Sequence, residues 1–194
     1  MNAPDRTTLK VHRERGVPDR AASFLAEGIV AHVGIADAAG PVVIPMTYHY
    51  DPAEPESLYL HGAHYSRLMK AVASGEPVCV TVTMTDGIVL SKTALDHSVN
   101  YRSVVCFCRA AEAQPSMERQ RELLQAMIAR YVPGRTAGVD YDVIPEKHLK
   151  ATAFVAMRIT AMSAKTRTGG SNGPGDDDPL VPGTAGVVPL PPGR

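Results

Sequence analysis

The chain of 194 residues contains no tryptophan, carries no net formal charge and has no long hydrophobic run. Twenty basic residues balance twenty acidic ones. The basic excess of a duplex-coating protein is therefore missing, and no nucleic-acid partner is expected. No stretch approaches ~18 consecutive apolar residues, so no membrane span is expected. The polar first fifteen residues lack the apolar core of a secretory leader, which makes the cytoplasm the expected compartment. The three cysteines, Cys79, Cys106 and Cys108, are odd in number and lie in apolar, β-rich runs. They read as reduced core thiols, and nothing demands an oxidising environment. The seven histidines show no metal-ligand spacing, and no metal site is expected. Nucleophile elbow, phosphate loop and dinucleotide fingerprint are also absent.

What is present is enough apolar material, 44% of the residues, for one well-buried domain. Glycine and proline number 32, and 13 of them crowd into the last 26 residues. Residues 1–168 are expected to form a single domain, with 1–17 as an arm, and 169–194 an extension of a different kind. The patterning predicts a helix over 19–28 capped by Asp19, and strands over 29–36, 41–50 and 57–62. A helix over 65–74 comes next, followed by strands over 78–83, 88–95 and 101–111. Asp86-Gly87 reads as a hairpin turn. Ser116 caps a long helix over 117–131, Pro145 opens a short one to residue 150, and the last strand spans 151–162. The links at 36–41 and 86–88 are too short for parallel crossovers. The expected fold is mainly β, an antiparallel closed or nearly closed barrel with peripheral helices.

Three polar segments could carry chemistry. In the first, a strand ending at His61 and Gly62 runs into a helix whose start holds Ser66 and Arg67. A hydroxyl, a guanidinium and free N–H groups at a helix start suit a phosphate, or they simply cap and solvate it. In the second, Asn100, Tyr101 and Arg102 cluster between two strong strands, as a pocket rim or as an ordinary connection. In the third, Lys165 and Arg167 share one face if the last strand continues.

The ordered series of motifs resembles the pyridoxamine 5'-phosphate oxidase-like proteins with an FMN-binding split barrel. The nearest branch is the flavin-nucleotide-binding one, related to nitroimidazole-resistance proteins. The resemblance rests on Val43 to Tyr48, Leu58 to Gly62 with Ser66-Arg67, and His97 to Val104. Pro133-Gly134-Arg135, Ser163 to Gly169 and Ala185 to Leu190 extend it.

It implies an FMN-dependent oxidoreductase working as a homodimer, with flavin at the interface. Ser66 and Arg67 would hold the phosphate, preceded by His61 and Gly62. Met46, Thr47 and Tyr48 would pass the ring. Asn100, Tyr101 and Arg102 would approach it, with Lys165 and Arg167 as further contacts. Catalytic residues are not assigned. Leu68 after Arg67, and the absence of tryptophan, depart from the true oxidases and argue against vitamin B6 oxidation. The alternatives are a haem-binding or haem-degrading barrel using His61 or His64, a deazaflavin cofactor, and a flavin carrier or sensor without turnover. The resemblance also predicts an irregular but ordered extension that returns to the barrel or the partner subunit, with disorder only from Pro191 to Arg194.

Overall fold

The computed structural model describes residues 5–191. Residues 192–194, where disorder is expected, and the first four of the arm lie outside the described residues. Seven strands carry the fold: β1 (Val30–Asp37), β2 (Gly40–Thr47), β3 (Ser57–Ala63), β4 (Val78–Leu90), β5 (Ser98–Ala113), β6 (Thr152–Arg167) and β7 (Gly186–Pro189). Four α-helices accompany them: α1 (Ala21–Glu27), α2 (Arg67–Ala73), α3 (Met117–Tyr131) and α4 (Glu146–Ala151). All pairings between these strands are antiparallel, in the order β2-β1-β4-β5-β6-β3. Beyond β2, His49 exchanges two 2.9 Å backbone bonds with Tyr59 of β3. That bridge brings the two ends of the sheet together, as in a split barrel.

Strand alternation decides what lies inside. Ala31, Val33 and Ile35 of β1 face inward, as do Val80 and Val82 of β4 and Val104 and Cys106 of β5. Leu68, Met69 and Val72 of α2 add to this core. Each large side chain so buried stabilises the fold by roughly 1.5–3 kcal/mol. A smaller apolar layer forms elsewhere, from Leu123 and Met127 of α3, Leu149 of α4 and Phe154 of β6.

Ser116 caps α3 as its sequence predicts, its Oγ accepting from the Arg119 N–H at 3.2 Å. Other expectations are corrected. Asp19 caps nothing: it sits in a short 3-10 turn, and Arg20 precedes α1. Asp86-Gly87 is not a hairpin turn but a bulge inside one continuous strand, β4. The reason is β7, which passes so close that a Cβ on Gly87 would lie 3.1 Å from the Val188 carbonyl oxygen. β2 stops at Thr47 rather than residue 50, because the next residues leave β1 to reach β3. β6 runs on to Arg167, placing Lys165 and Arg167 within the sheet.

The extension follows a fixed path. Asn100 Nδ2 donates to the Gly169 carbonyl (3.0 Å), and Arg167 donates to that of Gly170 (3.1 Å). Asp176 then accepts from the N–H groups of Lys92 (2.7 Å) and Gly173 (2.8 Å) and from the Ser91 hydroxyl (3.0 Å). These bonds hold its carboxyl well down, at about 2. β7 finally pairs with residues 87–90 of β4.

Candidate functional site

The sequence-predicted residues fall into two groups. The first surrounds the start of α2. Gly62 faces the interior, where a Cβ would lie 3.0 Å from Met69 Cγ and 3.4 Å from the Met46 methyl. Glycine therefore lets Met46 and Met69 pack across β3. Ser66 is the N-cap, its Oγ accepting from the Met69 N–H at 3.1 Å. The first-turn N–H groups of Arg67 and Leu68 have no intrahelical acceptors. Arg67 grips Asp37 with two bonds of 2.5 Å, from Nε and Nη2. The contact raises the guanidinium pKa and lowers that of the carboxyl. Only the Nη1 edge of the fork is left for another anion.

Thr47 and Tyr48 behave differently from Met46. Thr47 is exposed. Tyr48 is fully buried, with its hydroxyl donating to the Leu25 carbonyl at 2.5 Å and the Arg130 guanidinium 4.5 Å over its ring. His61 points to the side of β3 opposite Gly62. It stacks on Phe154 with ring centroids 5.7 Å apart, and its buried Nδ1 has no partner. Burial lowers its pKa. Tyr59, two residues earlier on the same side, meets Arg119 of α3, so His61 faces the helical layer. His64 is exposed and donates to the Lys150 carbonyl at 3.1 Å.

The second group lies at the far end of β5 and β6. Tyr101 pairs with Arg167, and Ser103 with Lys165. Arg167 donates to Asn100 Oδ1 at 2.5 Å. Arg102 is spent inside the fold, on both oxygens of Asp86 (2.8–3.2 Å) and on Glu27. Those carboxylates raise its pKa. Along β6, Gly62 pairs with Ala153 whereas Tyr101 pairs with Arg167. Fourteen steps of ~3.3 Å put roughly 45 Å of strand path between the groups.

Among the grooves of the barrel surface, two lie against β1 and β4. The first, about 350 Å³, has a floor of Gly34, Cys79 and Phe107 and a wall of Pro41 and Val43. Gly34 makes it deep: a Cβ there would meet only ordinary contacts, 3.5 Å or more away. Arg6 lies 4.5 Å over the Phe107 ring, and Arg109 donates to the Gly75 carbonyl at 3.1 Å, so neutral partners hold both cations. Ala36 lines this groove, whereas Asp37, the next residue, leaves the other face of β1 and meets Arg67 there. The second, about 450 Å³, lies between Val30 and His32 of β1, Thr83 and Thr85 of β4, and Leu190 of the extension.

The first groove and Asp37 lie outside the three polar segments that the sequence singles out. Strand alternation turns Gly34 outward once β1 is placed, so the groove had a signal. The Asp37–Arg67 pair spans 30 positions and had none.

The structure thus defines a split barrel with an apolar surface groove and with Arg67, at the start of α2, bound to Asp37. Residues 18–166 match the pyridoxamine 5'-phosphate oxidase family, and the chain belongs to it. Among solved structures, the FAD and haem binding protein from Mycobacterium smegmatis is 29% identical, with a TM-score of 0.77. That match covers 91% of this chain and 84% of the other. The flavocytochrome Anf3 from Azotobacter vinelandii is 28% identical, with a TM-score of 0.79, over 97% and 85% of the two chains. A 5-nitroimidazole antibiotic resistance protein from Bacteroides thetaiotaomicron shares the fold, at 20% identity and a TM-score of 0.60 over 77% and 83%. No curated protein matches the chain. Among the described residues no helix is long and apolar enough to cross a membrane, and no cluster of three metal-ligating side chains occurs.

Proposed function

We propose that this protein binds a flavin nucleotide, FMN by its family resemblance, and works as a flavin-dependent oxidoreductase on a small molecule. The observation that carries the reading is the donor set at the start of α2, Ser66 with Arg67, in a barrel that also has an apolar groove over Gly34 and Phe107. The residues fit the group. Ser66, the first-turn N–H groups and Nη1 of Arg67 supply donors for a phosphate. The floor left open by Gly34 accepts a flat ring, and its apolar walls exclude water from it. Bound flavin would supply the hydride and electron chemistry, while the chain binds and orients it.

The homodimer belongs to the same proposal. The two residue groups lie at opposite ends of β6, and a two-fold partner could bring the Tyr101 and Lys165 end of one chain to the clamp of the other. The neighbours named for FAD and for a flavocytochrome support a flavin in this barrel. A haem on His61 is less well supported, because its ring faces the helical layer and lines neither groove.

The purified protein is expected to be yellow and to release flavin on denaturation. A colourless protein that takes up no added FMN overturns the reading. Turnover with reduced nicotinamides and nitro or quinone acceptors separates an enzyme from a carrier. A Soret shift abolished by His61→Ala would restore the haem alternative.

A further inference from the structure

The geometry points to a second binding site, for a neutral planar lactam or imide heterocycle, at an open edge of β4. This goes beyond the flavin reading and stands without it. One edge of β4 is paired with β5 from Val78 to Val89, interrupted only by the bulge at Asp86. The other is shared: β1 pairs with residues 79–81, and β7 with residues 87–90. Between Thr81 and Gly87 that edge pairs with no strand among the described residues, and the second groove lies beside it. Leu190 closes the end of the gap, its N–H donating to the Asp86 carbonyl at 3.0 Å.

A strand edge presents the N–H and C=O of one residue side by side, pointing the same way. A ring amide, whose N–H and C=O are fixed cis, is the complement of that pair. It would make two hydrogen bonds, as a neighbouring strand does. The side chains suit such a ring: Val30 and Leu190 give apolar walls, and the Thr83, Thr85 and His32 side chains give polar groups at the rim.

Charge sets the class further. The ionic group beside the gap is Arg102 with Asp86 and Glu27, one guanidinium against two carboxylates. That balance repels a phosphate or carboxylate and leaves a neutral ring preferred. The first groove, flanked by Arg6 and Arg109, has the opposite bias.

The test is fluorescence titration of the full chain with lumazine, a neutral pteridine-dione at slightly acidic pH, with and without saturating FMN. 1,3-Dimethyllumazine has nearly the same shape without the ring N–H donors. The expected result is binding of lumazine that FMN does not displace, and at least about tenfold weaker binding of the dimethyl compound. Thr83→Trp, which fills the groove from an exposed strand position, abolishes lumazine binding, and Leu190→Gly weakens it. Gly34→Leu, in the other groove, leaves it unchanged. Equal affinity for the two probes, displacement by FMN, loss in Gly34→Leu instead of Thr83→Trp, or no binding overturns the proposal. A protein that binds lumazine in this way but never FMN would defeat the flavin reading alone.

Discussion

The two grooves are cut by different means. The one over Gly34 lies where β1 is paired on both sides, and its depth comes from a missing side chain. The one beside Thr83 comes from missing strand pairing, where β1 has left β4 and β7 has not yet joined it. The first offers apolar surface and positive charge, the second backbone donors and acceptors with a slight negative bias. One barrel can therefore separate an anionic, ring-bearing ligand from a neutral one through the way its sheet is laid down.

The two grooves differ most at Gly34. Gly34→Leu fills the first groove and should weaken flavin binding on the order of 100-fold, the apolar burial of a ring being worth about 2–3 kcal/mol. Calorimetric titration with FMN reads this, and an unchanged affinity would move the ring elsewhere. Arg102 gives a smaller effect of another kind. Arg102→Met leaves Asp86 and Glu27 facing each other and should cost about 1–3 kcal/mol in urea unfolding. The preference for FMN over riboflavin should stay as it was, because this guanidinium is engaged inside the fold.

Both ends of the sheet were partly legible in the sequence, for different reasons. Ser66-Arg67 stands out because a strand-to-helix junction with a hydroxyl and a guanidinium is a local pattern. Capping of α2 by Ser66 follows from the same pattern. The tie from Arg67 to Asp37 is long-range and left no trace in either segment. Asp86-Gly87 misled because the dipeptide favours a hairpin turn locally. Only the approach of β7, a hundred residues later, makes it a bulge. The burial of Tyr48 left no mark in the sequence, because β2 ends before it and its side chain turns in beneath Arg130. Lys165 and Arg167 were readable as a pair on one face, provided that the strand continued, and it does.

Acid should separate the helical layer from the grooves. Burial lowers the pKa of both His49 and His61, so the folded protein keeps them neutral while the unfolded chain binds protons near 6.5. Their contribution to stability is complete above that value and is lost as pH falls below it. Melting temperature should drop between pH ~7.5 and ~5.5, and His61→Phe, which keeps the stack on Phe154, should flatten that drop. A drop of equal size in the variant would acquit His61.

The smallest effect concerns the extension. Asp176, held at about 2, keeps its charge well below the ordinary aspartate value of 3.8. The contacts it accepts are present above 3.8 and fade only as pH falls towards 2. Limited proteolysis at pH ~4 should therefore spare residues 170–190 in the wild type, and Asp176→Ala should expose them. Cleavage at equal rates would show that β7 alone fixes the path.

Arg67 is the residue on which the proposed phosphate site depends. The decisive measurement is the affinity of the wild type and of Arg67→Ala for FMN and for riboflavin, which share a ring and differ by the phosphate. Arg67→Ala should lose about 1–3 kcal/mol of FMN binding, the worth of a charge-assisted hydrogen bond, while its riboflavin binding is unchanged. Equal losses for both ligands, or none for FMN, would contradict a phosphate site at the start of α2.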